Sequence, residues 1–158
     1  MKKLSSLLLL FLSLSLVSCS SDDSGGSNGG DQVGSLYIKF NLNGQDYSFE
    51  PETMTTLQML VRGDKETNGV FTSISLWMPV EPTVGSHPIT DAFPTDANIN
   101  TLHNANVWVG EEIVDATTGT MVITEVTEHH VKGTFSFSGT NDNGTAATVT
   151  NGSFRALK

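Results

Sequence analysis

From residue 35 onward, hydrophobic and polar residues alternate with a period of two, which is typical of β-strands that bury one face. The first run places apolar side chains at positions 36, 38, 40 and 42 and polar or amphipathic ones between them. Asn43-Gly44 follows directly, and this dipeptide between two alternating runs is the strongest short-range signal for a β-hairpin. The pattern therefore predicts an antiparallel hairpin at the start of a folded domain.

Similar alternation continues to the end of the chain. Strands are predicted at 70–78 after a polar turn at 63–69, at 107–109, and at 120–128, 131–139, 145–150 and 153–157. The last two are separated by Asn151-Gly152, which is interpreted as a turn, with Gly152 at a positive φ. The prediction is an all-β, single antiparallel meander-rich domain of about nine strands over 35–158, either a two-layer sandwich or a flattened barrel.

One segment interrupts this pattern. Residues 79–106 contain four prolines, too many for a central strand, so a long loop with one short strand near 86–90 is expected. Loops above about 12–15 residues in compact domains are usually functional or disordered. This loop is therefore where a binding surface is first sought.

The first eighteen residues are typical of a processed leader. Two lysines precede an apolar stretch from 4 to 17, which falls short of the about 20 residues that a spanning helix needs. The stretch ends in Leu-Val-Ser-Cys at 16–19, which resembles the lipobox of bacterial lipoproteins. That resemblance implies a signal peptide at 1–18, lipidation of Cys19, and a membrane partner reached through the lipid anchor.

Residues 19–34 are rich in Gly, Ser and Asp and contain nothing that could form a core, so a flexible tether is predicted. The Ser21-Asp22-Asp23 sequence resembles the acidic export signal of Bacteroidota lipoproteins. It implies outer-membrane localisation and display at the cell surface. The alternatives are the inner leaflet of that membrane and acids that only keep the linker soluble.

The last third of the domain resembles a family of small Bacteroidota outer-membrane lipoproteins with an all-β domain of unknown function. The matching pattern is Gly-Thr-Phe-Ser-Phe at 133–137 and Thr-Asn-Gly-x-Phe at 150–154, with Gly-Thr-x-x-Ile-Thr at 119–124. The resemblance extends more weakly over most of 35–158. The resemblance implies an all-β fold and a location at the outer membrane, and it brings no catalytic residues.

Charge and cysteine content exclude several functions. Eight Lys and Arg against seventeen Asp and Glu give a net charge of −9, which argues against nucleic acid as a partner. One cysteine allows neither a disulfide within the chain nor a Cys-rich metal site, and Cys19 is itself the lipidation candidate. No cofactor is expected, because no nucleotide-binding or zinc-protease motif is present.

Acidic and histidine residues offer weak candidates for chemistry. Glu125, Glu128, His129 and His130 lie close in sequence, but an extended strand would put Glu128 and His130 on one face and Glu125, Thr127 and His129 on the other. A metal there would need His87 or His103 from the long loop, so no metal site is predicted. The alternative function is a small envelope hydrolase whose His–carboxylate site, such as Glu128 with His87, assembles from loops.

Aromatic residues are the better candidates for binding. Trp77 and Trp108 have the opposite parity to the apolar residues of their strands, which indicates an outward position, and Phe93 lies in the long loop. The alternative is that both strand faces are buried or that a bulge shifts the parity. The expected function is a non-catalytic binding or structural β domain, with a glycan, a lipid or an envelope protein as its ligand.

Overall fold

The computed structural model describes residues 34–158, and in this part of the chain eleven antiparallel strands form two sheets packed as a β-sandwich. The all-β prediction is confirmed. Each sheet has two edge strands, so the domain is the predicted sandwich rather than the flattened barrel. Within the same residues, no helix is long and apolar enough to cross a membrane.

The six-stranded sheet contains β1 Tyr37–Leu42, β2 Gln45–Phe49, β6 Gly85–Ile89, β9 Thr118–Val126, β10 His130–Thr140 and β11 Ala146–Leu157, in the order β2-β1-β11-β10-β9-β6. The five-stranded sheet contains β3 Glu52–Thr55, β4 Met59–Thr67, β5 Val70–Met78, β7 Asn104–Val109 and β8 Glu112–Asp115, in the order β3-β4-β5-β7-β8. Strands β9, β10 and β11 form the predicted meander, and β1 then pairs with β11.

The core lies between the sheets and is built from the apolar half of each alternating strand. Fully buried side chains from the six-stranded sheet meet those of the five-stranded sheet, among them Ile38, Met121 and Phe154 from the first and Val61, Ile74 and Leu76 from the second. Each such side chain contributes about 1.5–3 kcal/mol by leaving water. The alternate residues of each strand face away from this core and are available for binding.

Two hairpins end in Asn-Gly turns. Asn43 and Gly44 have φ of 50° and 92°, which confirms the first predicted hairpin. The predicted turn at 63–69 is shorter than expected, since β4 continues to Thr67 and only Asn68 and Gly69 turn, at φ of 53° and 75°. Gly63 is buried within the strand, where any Cβ would overlap Ile38 and Phe49.

The predicted turn at Asn151-Gly152 is wrong. Strand β11 passes through it without interruption, and the register shifts there against both neighbouring strands, which marks a β-bulge. Asn151 adopts the positive φ of 53°, whereas Gly152 is extended and leaves room for the Phe135 ring. The two predicted strands are therefore one strand of twelve residues.

The strand number also differs from the predicted nine, because β3 and β8 have four residues each and show no clear alternation. The long loop contains β6 at Gly85–Ile89, close to the predicted 86–90, and it ends where β7 begins at Asn104. Since β6 joins the six-stranded sheet, the chain crosses between sheets twice within this segment.

Candidate functional site

The two tryptophans lie on the outer face of the five-stranded sheet. On β5, Ile74 and Leu76 point into the core and Trp77 points outward; on β7, Val107 is buried and Trp108 is 37% exposed. Trp77 is partly exposed. The parity argument is confirmed, because neither ring belongs to the buried core between the sheets.

The register separates the two rings along that face. Trp77 pairs with Asn104, and Trp108 pairs with Ser73, four residues earlier on β5. At about 3.4 Å per residue the two ring-bearing positions are about 14 Å apart along the strand. The tryptophans therefore mark two ends of one face rather than a single stacked platform.

A polar row crosses the face between the two tryptophans. Successive pairings align one outward residue from each of the five strands, namely Glu52, Arg62, Ser75, Asn106 and Asp115. Asn106 Nδ2 donates to Asp115 Oδ1 at 3.2 Å, which fixes both side chains. Ser75 is buried although it points outward, so neighbouring side chains cover the middle of the row.

At one end, contacts hold the Trp108 ring in place. Its Nε1 donates to the Gly110 carbonyl at 2.8 Å, and Phe71 meets the indole edge-on with ring centroids 5.4 Å apart. The Arg62 guanidinium lies 5.9 Å from the Phe71 ring centroid, and its Nε is 3.3 Å from Asp64 Oδ1. With its N–H already bonded, the indole offers a ligand mainly an apolar surface.

At the other end, the long loop is attached beside Trp77. Asn104 Nδ2 donates to the carbonyls of Thr90 at 2.7 Å and Ala92 at 3.0 Å. Phe93 follows Ala92 and is 86% exposed. The loop thus places Phe93 near the Trp77 end, while Trp108 lies at the far end from the loop.

Arg62, Asn106 and Asp115 were not singled out from the sequence. Each has the outward parity on its strand, as the tryptophans do, so parity gave a usable signal for the face. Outward parity alone does not distinguish a binding residue from an ordinary surface residue, because most outward residues in a sheet are polar.

The structure does not bring together the pair suggested for a hydrolase. His87 pairs with Met121 in the middle of β9, whereas Glu128 lies in the turn beyond Val126 at the end of that strand. Five residues of strand alone span about 17 Å, far beyond hydrogen-bond distance.

His130 instead contacts two residues expected on the opposite face. Its Nε2 lies 2.7 Å from Glu125 Oε1, and its Nδ1 lies 2.9 Å from Thr127 Oγ1. The arrangement for an extended strand does not apply, because the chain turns at 127–129, as the break between the predicted strands indicated, and the Thr127 N–H bonds back to the His130 carbonyl. Thr127 Oγ1 also accepts the backbone N–H groups of His129 and His130, so the hydroxyl serves the turn.

His87 and His103 stack with ring centroids 4.3 Å apart and an interplanar angle of 12°. His103 Nδ1 donates to the Thr101 carbonyl at 3.0 Å, and burial lowers the pKa of His103 to about 4, with a smaller effect from neighbouring His87. Among residues 34–158, no group of three or more His, Cys, Asp or Glu side chains is placed to hold a metal ion.

Because the pKa of His103 is lowered from 6.5 to about 4, the folded protein binds fewer protons than the unfolded chain between these values. Stability from this group is complete above pH 6.5 and falls as the pH drops, by about 3 kcal/mol at pH 4. Urea unfolding from pH 7 to pH 4 should show that His103→Gln loses less stability than the wild type. His129→Gln, at an exposed position, is the control, and equal losses in all three proteins would contradict the assignment.

Comparison of the chain with models of protein families, with curated protein sequences and with solved structures finds no match.

Proposed function

We propose that this protein is a lipid-anchored, non-catalytic binding protein whose ligand is a neutral glycan. The observation that carries the proposal is the position of Trp77 and Trp108 at two ends of one outward face, with a row of polar side chains between them. The binding face consists of these tryptophans, the polar row and Phe93 at the loop.

The chemistry of the face matches that of a sugar chain. A pyranose ring has an apolar C–H face, which an indole can cover, and hydroxyl groups at its edge, which need donors and acceptors in a plane. Arg62 supplies donors, Asp115 supplies acceptors, and Asn106 supplies both. A face about 14 Å long between the rings suits a chain of several sugars better than one small molecule.

The charge of the face favours a neutral ligand. Glu52 and Asp64 lie beside Arg62, which is the cation of the polar row, and Asp115 ends the row on β8. The whole chain carries −9. An anionic polymer would be repelled at long range by such a surface. A neutral glycan carries no charge and is not repelled in this way.

The anchor is proposed from the sequence, since Cys19, the acidic Ser21-Asp22-Asp23 sequence and most of the tether lie outside the described residues. Lipidation at Cys19 would fix the protein to the outer membrane, and the tether would let the domain sample ligands near the surface. The tether of fifteen or so residues reaches about 20 Å on average. Display outside the cell remains our proposal from the acidic export signal.

Trp77→Ala and Trp108→Ala should each weaken glycan binding by roughly 1–3 kcal/mol, because aromatic rings that a ligand covers contribute much of the binding free energy. The measurement is binding to an array of neutral polysaccharides, followed by calorimetry on the best ligand. Tyr37→Ala is the matched control, since this aromatic lies on the outer face of the other sheet, under Lys39.

Circular dichroism and thermal unfolding show whether each variant keeps its fold. Folded tryptophan variants that bind as tightly as the Tyr37→Ala control would refute the proposed face. A wild-type protein that binds no neutral glycan would refute the ligand class.

A further inference from the structure

A cleft of about 410 Å³ opens between the two sheets at one end of the sandwich. It lies where the β1–β2, β7–β8 and β10–β11 turns meet, away from the outer face that carries the tryptophans. Its walls are apolar side chains from both sheets, chiefly Leu42, Tyr47, Val107, Val109, Val114 and Ala147. The volume falls within the roughly 300–1,000 Å³ typical of small-molecule sites.

The walls of this cleft are formed but incompletely covered. Val109 has the inward parity of β7 and is nevertheless 37% exposed, and it lines the open cleft. The Tyr47 ring is fixed by stacking on Phe40, with centroids 5.2 Å apart, and by Phe49 at 5.9 Å. An apolar ligand could enter without displacing the core.

Glu112 provides the charge at the mouth of the cleft. Its Oε2 accepts from Asn141 Nδ2 at 2.5 Å and from Thr145 Oγ1 at 3.5 Å, and Asn143 Nδ2 lies 3.3–3.4 Å from both oxygens. These donors are neutral, and within residues 34–158 no ion pair joins Glu112 to a cation. Among these residues, neutral donors alone hold the carboxylate in place, and Oε1 retains acceptor capacity.

We propose that this cleft binds a small amphiphilic amine, with its alkyl or aryl stem between the sheets and its ammonium group on Glu112. The lining residues include no Lys, Arg or His, so a fatty acid would place its carboxylate beside Glu112 without a counter-charge. A charge-assisted N–H···O bond is about twice as strong as a neutral one, which favours the amine over an alcohol of equal length. The site is independent of the proposed glycan face.

Calorimetry at pH 7 with n-octylammonium, n-octanol and octanoate tests this proposal, since the three probes share a stem and differ in the head group. We expect octylammonium to bind at least about tenfold more tightly than octanol, and octanoate to bind more weakly than either. Equal affinities for all three probes, or no binding of octylammonium, would overturn the proposal.

Two variants locate the site. Glu112→Gln retains a side-chain acceptor for the 141–145 turn and should remove the preference for ammonium while octanol binding stays the same. Val109→Trp should fill the cleft and abolish binding of both probes. Ile113→Trp is the matched control, because Ile113 is 43% exposed on the opposite face of the neighbouring strand. Octylammonium binding that survives Val109→Trp would place it elsewhere and refute the site.

Discussion

Replacing Cys19 with serine should abolish fatty-acid labelling of this protein and its partition into the detergent phase. Cys19 is the only cysteine in the chain, so no other thiol can take the lipid. Stable anchoring needs at least two acyl chains or one chain with a second signal, and serine allows none of the thioether chemistry. The measurement is metabolic labelling with a fatty-acid analogue, followed by detergent phase separation.

Ser20→Ala is the matched control for this experiment, since it changes the neighbouring residue and leaves the cysteine intact. The control should be labelled as well as the wild type. Labelling that persists in Cys19→Ser, or a wild-type protein that takes up no label, would contradict the proposal that this protein is a lipoprotein. Neither result would bear on the β domain at 35–158, which follows the tether.

Local backbone chemistry explains which parts of the fold were predictable. Asn43-Gly44 forms the expected hairpin because a two-residue turn with two positive φ values has few other solutions. The outward positions of Trp77 and Trp108 followed from parity alone, since side chains alternate strictly within a strand that has no bulge.

The same dipeptide at Asn151-Gly152 was misread because its role depends on residues far away. Pairing with β1 on one side and β10 on the other keeps the strand extended, and the positive φ of Asn151 is absorbed as a bulge. A local rule cannot distinguish these outcomes, since both use an Asn in the left-handed region.

The candidate binding face could be predicted only in part for a related reason. Its polar row joins Arg62, Asn106 and Asp115, which are distant in sequence and become neighbours through the order β4-β5-β7-β8. That order requires β6 to leave for the other sheet, and nothing in the alternation of residues 79–106 indicates which sheet it joins. The inter-sheet cleft likewise depends on how three turns meet.

Gly139→Val should destabilise the domain by about 3 kcal/mol or more. Gly139 is buried in β10, where a Cβ would overlap the backbone carbonyl of Asp115 and crowd the Cα of Ala116. Asp115 ends β8 and Ala116 follows it. These atoms cannot yield easily, because the Ala116 N–H bonds to the Ala105 carbonyl at 2.9 Å and the Thr117 N–H to the Ser138 carbonyl at 3.0 Å. The substitution would therefore force the two sheets apart.

Thr134→Val in the same strand is the control for this substitution, since Thr134 is exposed on the outer face and valine favours strands. Urea unfolding followed by tryptophan fluorescence gives both free energies, and the control should stay within about 0.5 kcal/mol of the wild type. A Gly139→Val protein within about 1 kcal/mol of the wild type would mean that β8 and β10 do not approach backbone to backbone. The close approach matters for the cleft as well, because β8 carries Glu112 and β10 leads directly into the turn that holds it.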